Sequence, residues 1–230
     1  VLTIGGAALL LLLMASETIS RHSPAVSPNV LGETFRLIKK SSAPIIMMGV
    51  ASGLLYGIVF CFITIAPSMI MEQHGLSKTL FSIYSLLATL AFVAGSVLNI
   101  RLSKLPTLQK FRLSSVAILS LSVFISALTF LLNFNGLAMM LAYSYVTFFF
   151  IGIAMPCSVT IMLSFSAKSA GFLAALVGFF HLSGAAAGAY LVAYVGRTFS
   201  MLPAHTFVLI TTGLCLVSVT TCSFLKQRKT

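Results

Sequence analysis

Six long runs between Pro44 and Leu225, none containing Asp or Glu, decide what this chain can fold into. They cover residues 44–71, 79–100, 111–132, 137–164, 170–195 and 206–225. At about 1.5 Å of rise per helical residue, runs of this length cross the ~30 Å hydrocarbon core of a bilayer. The 230 residues are 59% hydrophobic and only 7% charged, whereas a soluble domain carries roughly 25% charged residues. A water-exposed surface cannot be built from this composition, and the expected class is an all-α membrane protein embedded in the lipid bilayer. The net charge of +11 does not imply a nucleic-acid partner. Its basic residues sit in short connections between apolar runs, which is the pattern that orients a membrane protein.

Those connections alternate. Placing 17–43 in the cytoplasm puts twelve basic residues inside and two (Lys78 and Arg197) outside. The positive-inside rule then predicts a cytoplasmic C-terminus. Before the six runs, residues 1–16 are apolar without a break and read as the end of a helix that starts upstream. Residues 17–43 form the one long polar segment. Pro24 and Pro28 disfavour early helix, and the mixture of Leu31, Phe35, Leu37 and Ile38 with Arg36, Lys39 and Lys40 suits either a surface amphipathic helix or a solvated linker. Cys61, Cys157, Cys215 and Cys222 all lie in apolar runs and read as small packing residues.

Two runs show close-packing patterns. Gly49, Gly53 and Gly57 recur every fourth residue, the small-xxx-small spacing that lets membrane helices approach. The run from Ser169 to Val195 divides at 100° per residue into a small face, including Gly171, Gly178 and Gly188, and a large face of Phe, Leu and Tyr. Both sets of glycines are expected to pack helices. His181 lies on the flank of the small face and points at protein or a cavity rather than lipid. An unpaired charge at the bilayer centre costs several kcal/mol, so neutral imidazole is the expected form. Three roles stay open for it: a hydrogen bond to a neighbouring hydroxyl or carbonyl, a contact to substrate, or a proton site.

No catalytic constellation is present. Glu17, Glu33 and Glu72 sit at run ends or in the polar segment, so paired acid–base work has no partners. His22, His74, His181 and His205 are scattered without metal-ligand spacing. No enzyme activity, metal or cofactor is expected.

Several short motifs in order resemble the drug-resistance transporters of the Bcr/CflA subfamily of the major facilitator superfamily. Glu17-Thr18 after the first apolar run resembles the ending of that family's helix six. Ala66-Pro67-Ser68 with Gly75-Leu76-Ser77 is similar to the outer end of its helix seven. Phe81, Gly95-Ser96 and Asn99-Ile100-Arg101-Leu102 resemble helix eight and its exit. Gly152 with Pro156 resembles helix ten, and Ala170-Gly171 with Ala174-Ala175-Leu176 and Gly178 resembles the opening of helix eleven. The resemblance covers nearly the whole chain and implies the C-terminal six-helix bundle (44–230) of a twelve-helix transporter, preceded by the end of helix six and the inter-half linker. It implies inverted three-helix repeats, alternating access, and proton-coupled efflux of small amphiphilic drugs across a bacterial inner membrane. Helices seven and ten line the cavity in that superfamily, which makes Tyr56, Phe60 and Tyr143 residues expected to meet substrate, with His181 of helix eleven a further candidate. Packing or interfacial anchoring is the competing role for the aromatics. A facilitator for a metabolite or osmolyte and a non-transporting seven-span membrane protein stay open as alternatives.

Overall fold

The computed structural model describes residues 30–131, 136–166, 169–199 and 202–225, with side chains from residue 43 onward. Helix α1 (Val30–Pro67) continues into a π-helical turn (Ser68–Gln73), and α2 (Lys78–Arg101), α3 (Thr107–Leu131), α4 (Leu137–Leu163), α5 (Ala170–Thr198) and α6 (Pro203–Ser223) follow. Six helices among the described residues are long and apolar enough to cross a membrane, the first of them as Ala43–Gln73. The protein is therefore a multi-pass helical membrane protein. The backbone of 30–42 is not a separate surface helix but runs straight into the first span. The helix end expected over 1–16, and 17–29 of the polar segment, lie outside the described residues.

Local chemistry sets the ends. Beyond Pro67 the backbone widens into the π turn, which leaves carbonyls to be satisfied from outside the regular ladder. The His74 ring bonds the Met69 carbonyl at 2.8 Å, and the Leu76 N–H donates to the Ile70 carbonyl at 3.2 Å. Gly75 between them takes φ +64°, a left-handed conformation that disfavours other residues. Ser77 then caps α2, its hydroxyl accepting the Leu80 N–H at 3.3 Å. Pro203 opens α6 at a position where a missing N–H costs nothing.

Packing follows a pseudo-two-fold pattern. The most extensive contacts join α1 to α5 and α2 to α4; next come the pairs α3–α4 and α1–α6, then α3–α6 and α1–α4. Exchanging α1–α2–α3 with α4–α5–α6 maps this set of neighbours onto itself. In the first seam, Gly57 faces the backbone of Gly184 and Gly188; in the second, Gly152 faces Phe92 and Gly95 faces Phe149 and Gly152. Ninety-five residues separate Gly57 from Gly152 and 93 separate Gly95 from Gly188, so the two crossings are equivalent points of two repeats. The chain around them echoes too: Ala94-Gly95-Ser96-Val97-Leu98 against Ala187-Gly188-Ala189-Tyr190-Leu191.

Each seam is stapled by a side chain to a glycine carbonyl. Pro156 lacks the N–H that would bond the Gly152 carbonyl four residues back. The Ser96 hydroxyl of α2 donates to that freed oxygen at 3.0 Å, the kind of repair by a neighbouring helix that makes proline tolerable in a span. On the other side the Cys61 thiol donates to the Gly188 carbonyl at 3.3 Å. The buried core runs through α1, α4 and α6, while α2 turns Leu86, Leu90 and Val93, and α5 turns Phe179 and Leu182, outward.

Candidate functional site

The α1–α5 seam builds a mixed aromatic–polar face around His181. Where Gly53 and Gly57 bring the two backbones together, the larger residues beside them must meet edge to edge. Phe180 lies over Gly49. The rings of Tyr56 and His181 stack at a centroid distance of 5.0 Å with 24° between planes, and Phe60 joins Tyr56 at 5.5 Å. All three side chains are half-buried. His181 Nε2 is buried and has no hydrogen-bond partner. The expected bond to a neighbouring hydroxyl or carbonyl is thus absent at this nitrogen, while the ring as a whole stacks on the π face of Tyr56. This nitrogen is closed off from the surface, so a neutral imidazole can offer its single hydrogen bond to a molecule on this face only when the ring turns off Tyr56.

Tyr143 departs from its expected place. It is 2% exposed, bonded to the Ser122 hydroxyl at 2.8 Å and edge-on to Phe207 at 5.6 Å. It belongs to the interior of the α3–α4–α6 side, because its face of α4 is the one that α3 and α6 cover. The α4 residue with an unpartnered hydroxyl on a half-buried side chain is Tyr145, two positions later.

The glycines of α5 divide. Gly188 packs as expected, but Gly171 and Gly178 do not, since a Cβ on either would meet nothing within 4 Å. The seam uses Gly184 and Gly188, roughly a third of a turn from Gly171 and Gly178 at 100° per residue. The small face is wider than the groove it fills. Gly184, which the sequence reading passed over, stands four residues before Gly188, and that spacing was its available signal.

The arginine and lysine that begin α3 act on helix ends. Arg112 Nη2 donates to the carbonyls of Cys222 (3.2 Å) and Leu225, closing the C-terminus of α6. Lys110 Nζ donates to the Asn99 carbonyl of α2 at 3.3 Å, while the Asn99 side-chain oxygen accepts the Cys157 thiol at 3.3 Å. Cations belong at helix C-termini, where carbonyls point outward. Among the described residues no group of three His, Cys, Asp or Glu comes together. Comparison with protein-family models and with curated proteins finds no match.

Proposed function

We propose that this chain forms one bundle of a proton-driven drug efflux antiporter of the major facilitator superfamily, similar to the Bcr/CflA subfamily, in a bacterial inner membrane with its basic end and C-terminus cytoplasmic. The observation that carries the reading is the inverted pair of three-helix repeats, with equivalent glycine crossings at Gly57–Gly188 and Gly152–Gly95. Such repeats are how this class of transporter rocks around a midplane site. The outward apolar faces of α2 and α5 suit contact with lipid and with a companion bundle.

The Tyr56–Phe60–His181 face is the part offered to substrate. Two aromatic rings supply apolar area and the unpartnered His181 nitrogen, once its ring turns off Tyr56, supplies one hydrogen bond, a combination that favours amphiphilic aromatic compounds over sugars or ions. Among the described residues the one acidic side chain, Glu72, lies at a helix end bonded to Ser68, so a coupling acid belongs to the companion bundle.

The test is a drug-susceptibility panel in cells expressing the full transporter, with His181→Ala and Tyr56→Ala variants at several external pH values. Losing one hydrogen bond of about 0.5–1.5 kcal/mol weakens binding about two- to tenfold. Both variants should lose resistance to a subset of compounds while keeping the pH profile. A shifted profile in His181→Ala would make it a proton site instead, and an unchanged panel would remove this face from the transport path. No compound affected by the intact protein would sink efflux itself.

A further inference from the structure

Lys110 is a buried cation with no anionic partner among the described residues. Its side chain is 8% exposed, and its ammonium, which has three donors, makes one hydrogen bond among the described residues, to the Asn99 carbonyl. Glu72 is at the far end of the bundle, paired with Ser68. Buried charges are ordinarily paired, because desolvating an ammonium costs several kcal/mol that a single neutral carbonyl does not return.

Lys110 also lines a cavity of about 360 Å³ between α2, α3 and α4, otherwise walled chiefly by apolar side chains including Leu98, Leu105, Leu113, Ala117 and Phe149. Arg101, the last residue of α2, and Lys104 on the α2–α3 connection stand exposed. A slot with apolar walls, a cation buried in its lining and two more cations nearby matches an amphiphile with a hydrocarbon tail and an anionic head.

We propose that this slot is a binding site for an anionic phospholipid, its phosphate pairing with Lys110 and one acyl chain lying between α2, α3 and α4. Basic pockets between membrane helices on the leaflet rich in anionic lipid take headgroups by the same chemistry. The site is independent of what the bundle transports. Net negative charge matters as well as the phosphate group, because three cations gather here and no described acid offsets them. A zwitterionic lipid would bring its own ammonium into that field.

The purified full-length chain, delipidated in neutral detergent, is titrated with phosphatidylglycerol, with phosphatidylcholine of the same acyl chains, and with inorganic phosphate. Bound lipid is read by native mass spectrometry and stability by thermal unfolding. Phosphatidylglycerol should bind about fivefold or more tightly than phosphatidylcholine. Lys110→Met, which keeps the unbranched stem, should weaken phosphatidylglycerol about fivefold, the effect of one basic residue near the surface. Ala117→Phe, which fills the slot and leaves the charge, should weaken both lipids.

Equal binding of the two lipids to the unaltered chain overturns the proposal, as it would if Glu17 or Glu33 supplied the missing anion. So does a full preference retained in Lys110→Met, or stabilisation by inorganic phosphate equal to that by phosphatidylglycerol. If Lys110→Met does not fold, unchanged phosphatidylglycerol binding by Ala117→Phe overturns it and weakened binding upholds it.

Discussion

Replacing Gly57 with alanine tests the geometry of the α1–α5 seam directly. The added Cβ would lie 2.6 Å from the Gly184 carbonyl oxygen and 3.2 Å from its carbon, so the oxygen intrudes by 0.8 Å on the 3.4 Å at which ordinary contact begins. That neighbour is backbone, which cannot swing aside as a side-chain tip can. Relief would require α1 and α5 to separate, yet the same two helices are interlocked one turn away at Gly53, where a Cβ would strike the Phe180 carbonyl. Overpacking of this kind costs about 1–3 kcal/mol. Alanine also gains up to about 1 kcal/mol in helix propensity over glycine, so a control with the same gain and no clash is needed. Gly178→Ala is that control, because its Cβ meets open space on α5. The difference between the two variants cancels propensity and should be about 1–3 kcal/mol, a five- to 150-fold change in the unfolding equilibrium. Unfolding by sodium dodecyl sulfate in mixed micelles measures it. Thiol labelling of Cys61, which is buried and bonded across the seam to Gly188, reports whether the loss is local. If Gly178→Ala costs as much as Gly57→Ala, or if neither variant changes stability, the seam is not where the structure puts it.

Tyr143→Phe should cost about 0.6 kcal/mol, the average for a hydrogen bond between membrane helices, and leave drug susceptibility unchanged, as measured by the same unfolding titration and panel; altered substrate range would return Tyr143 to the cavity. Ser96→Ala should strip the Gly152 carbonyl of its partner beside Pro156 and destabilise the chain by about 0.6–2 kcal/mol, whereas Ser120→Ala, whose hydroxyl bonds only within its own helix on an exposed face, should be neutral. Arg112→Ala should cost about 1.5–3 kcal/mol for a charged hydrogen-bond donor, because Nη2 alone donates to both the Cys222 and the Leu225 carbonyls at the end of α6; amide hydrogen exchange there reads the fraying.

The division between what was legible and what was not follows the range of the forces. The number and approximate limits of the spans were set by the sequence alone, because the cost of unpaired polar groups and charges in hydrocarbon acts residue by residue and needs no neighbour. The same was true of the Gly49–Gly53–Gly57 spacing, since small residues every four positions make a smooth groove on any helix. What packs into the groove is a property of two helices. The tertiary structure therefore decided that α5 answers with Gly184 and Gly188 rather than Gly171 and Gly178, and that Ser96, not a residue of α4, repairs the carbonyl freed by Pro156. It also decided which way Tyr143 faces. A tyrosine in a span reads identically whether it meets a cavity or, as here, the Ser122 hydroxyl of another helix. His181 shows the boundary most sharply: its rarity marked it from sequence, but its buried, unpartnered nitrogen and its stacking on Tyr56 exist only because the glycines beside Tyr56 let α5 come so close.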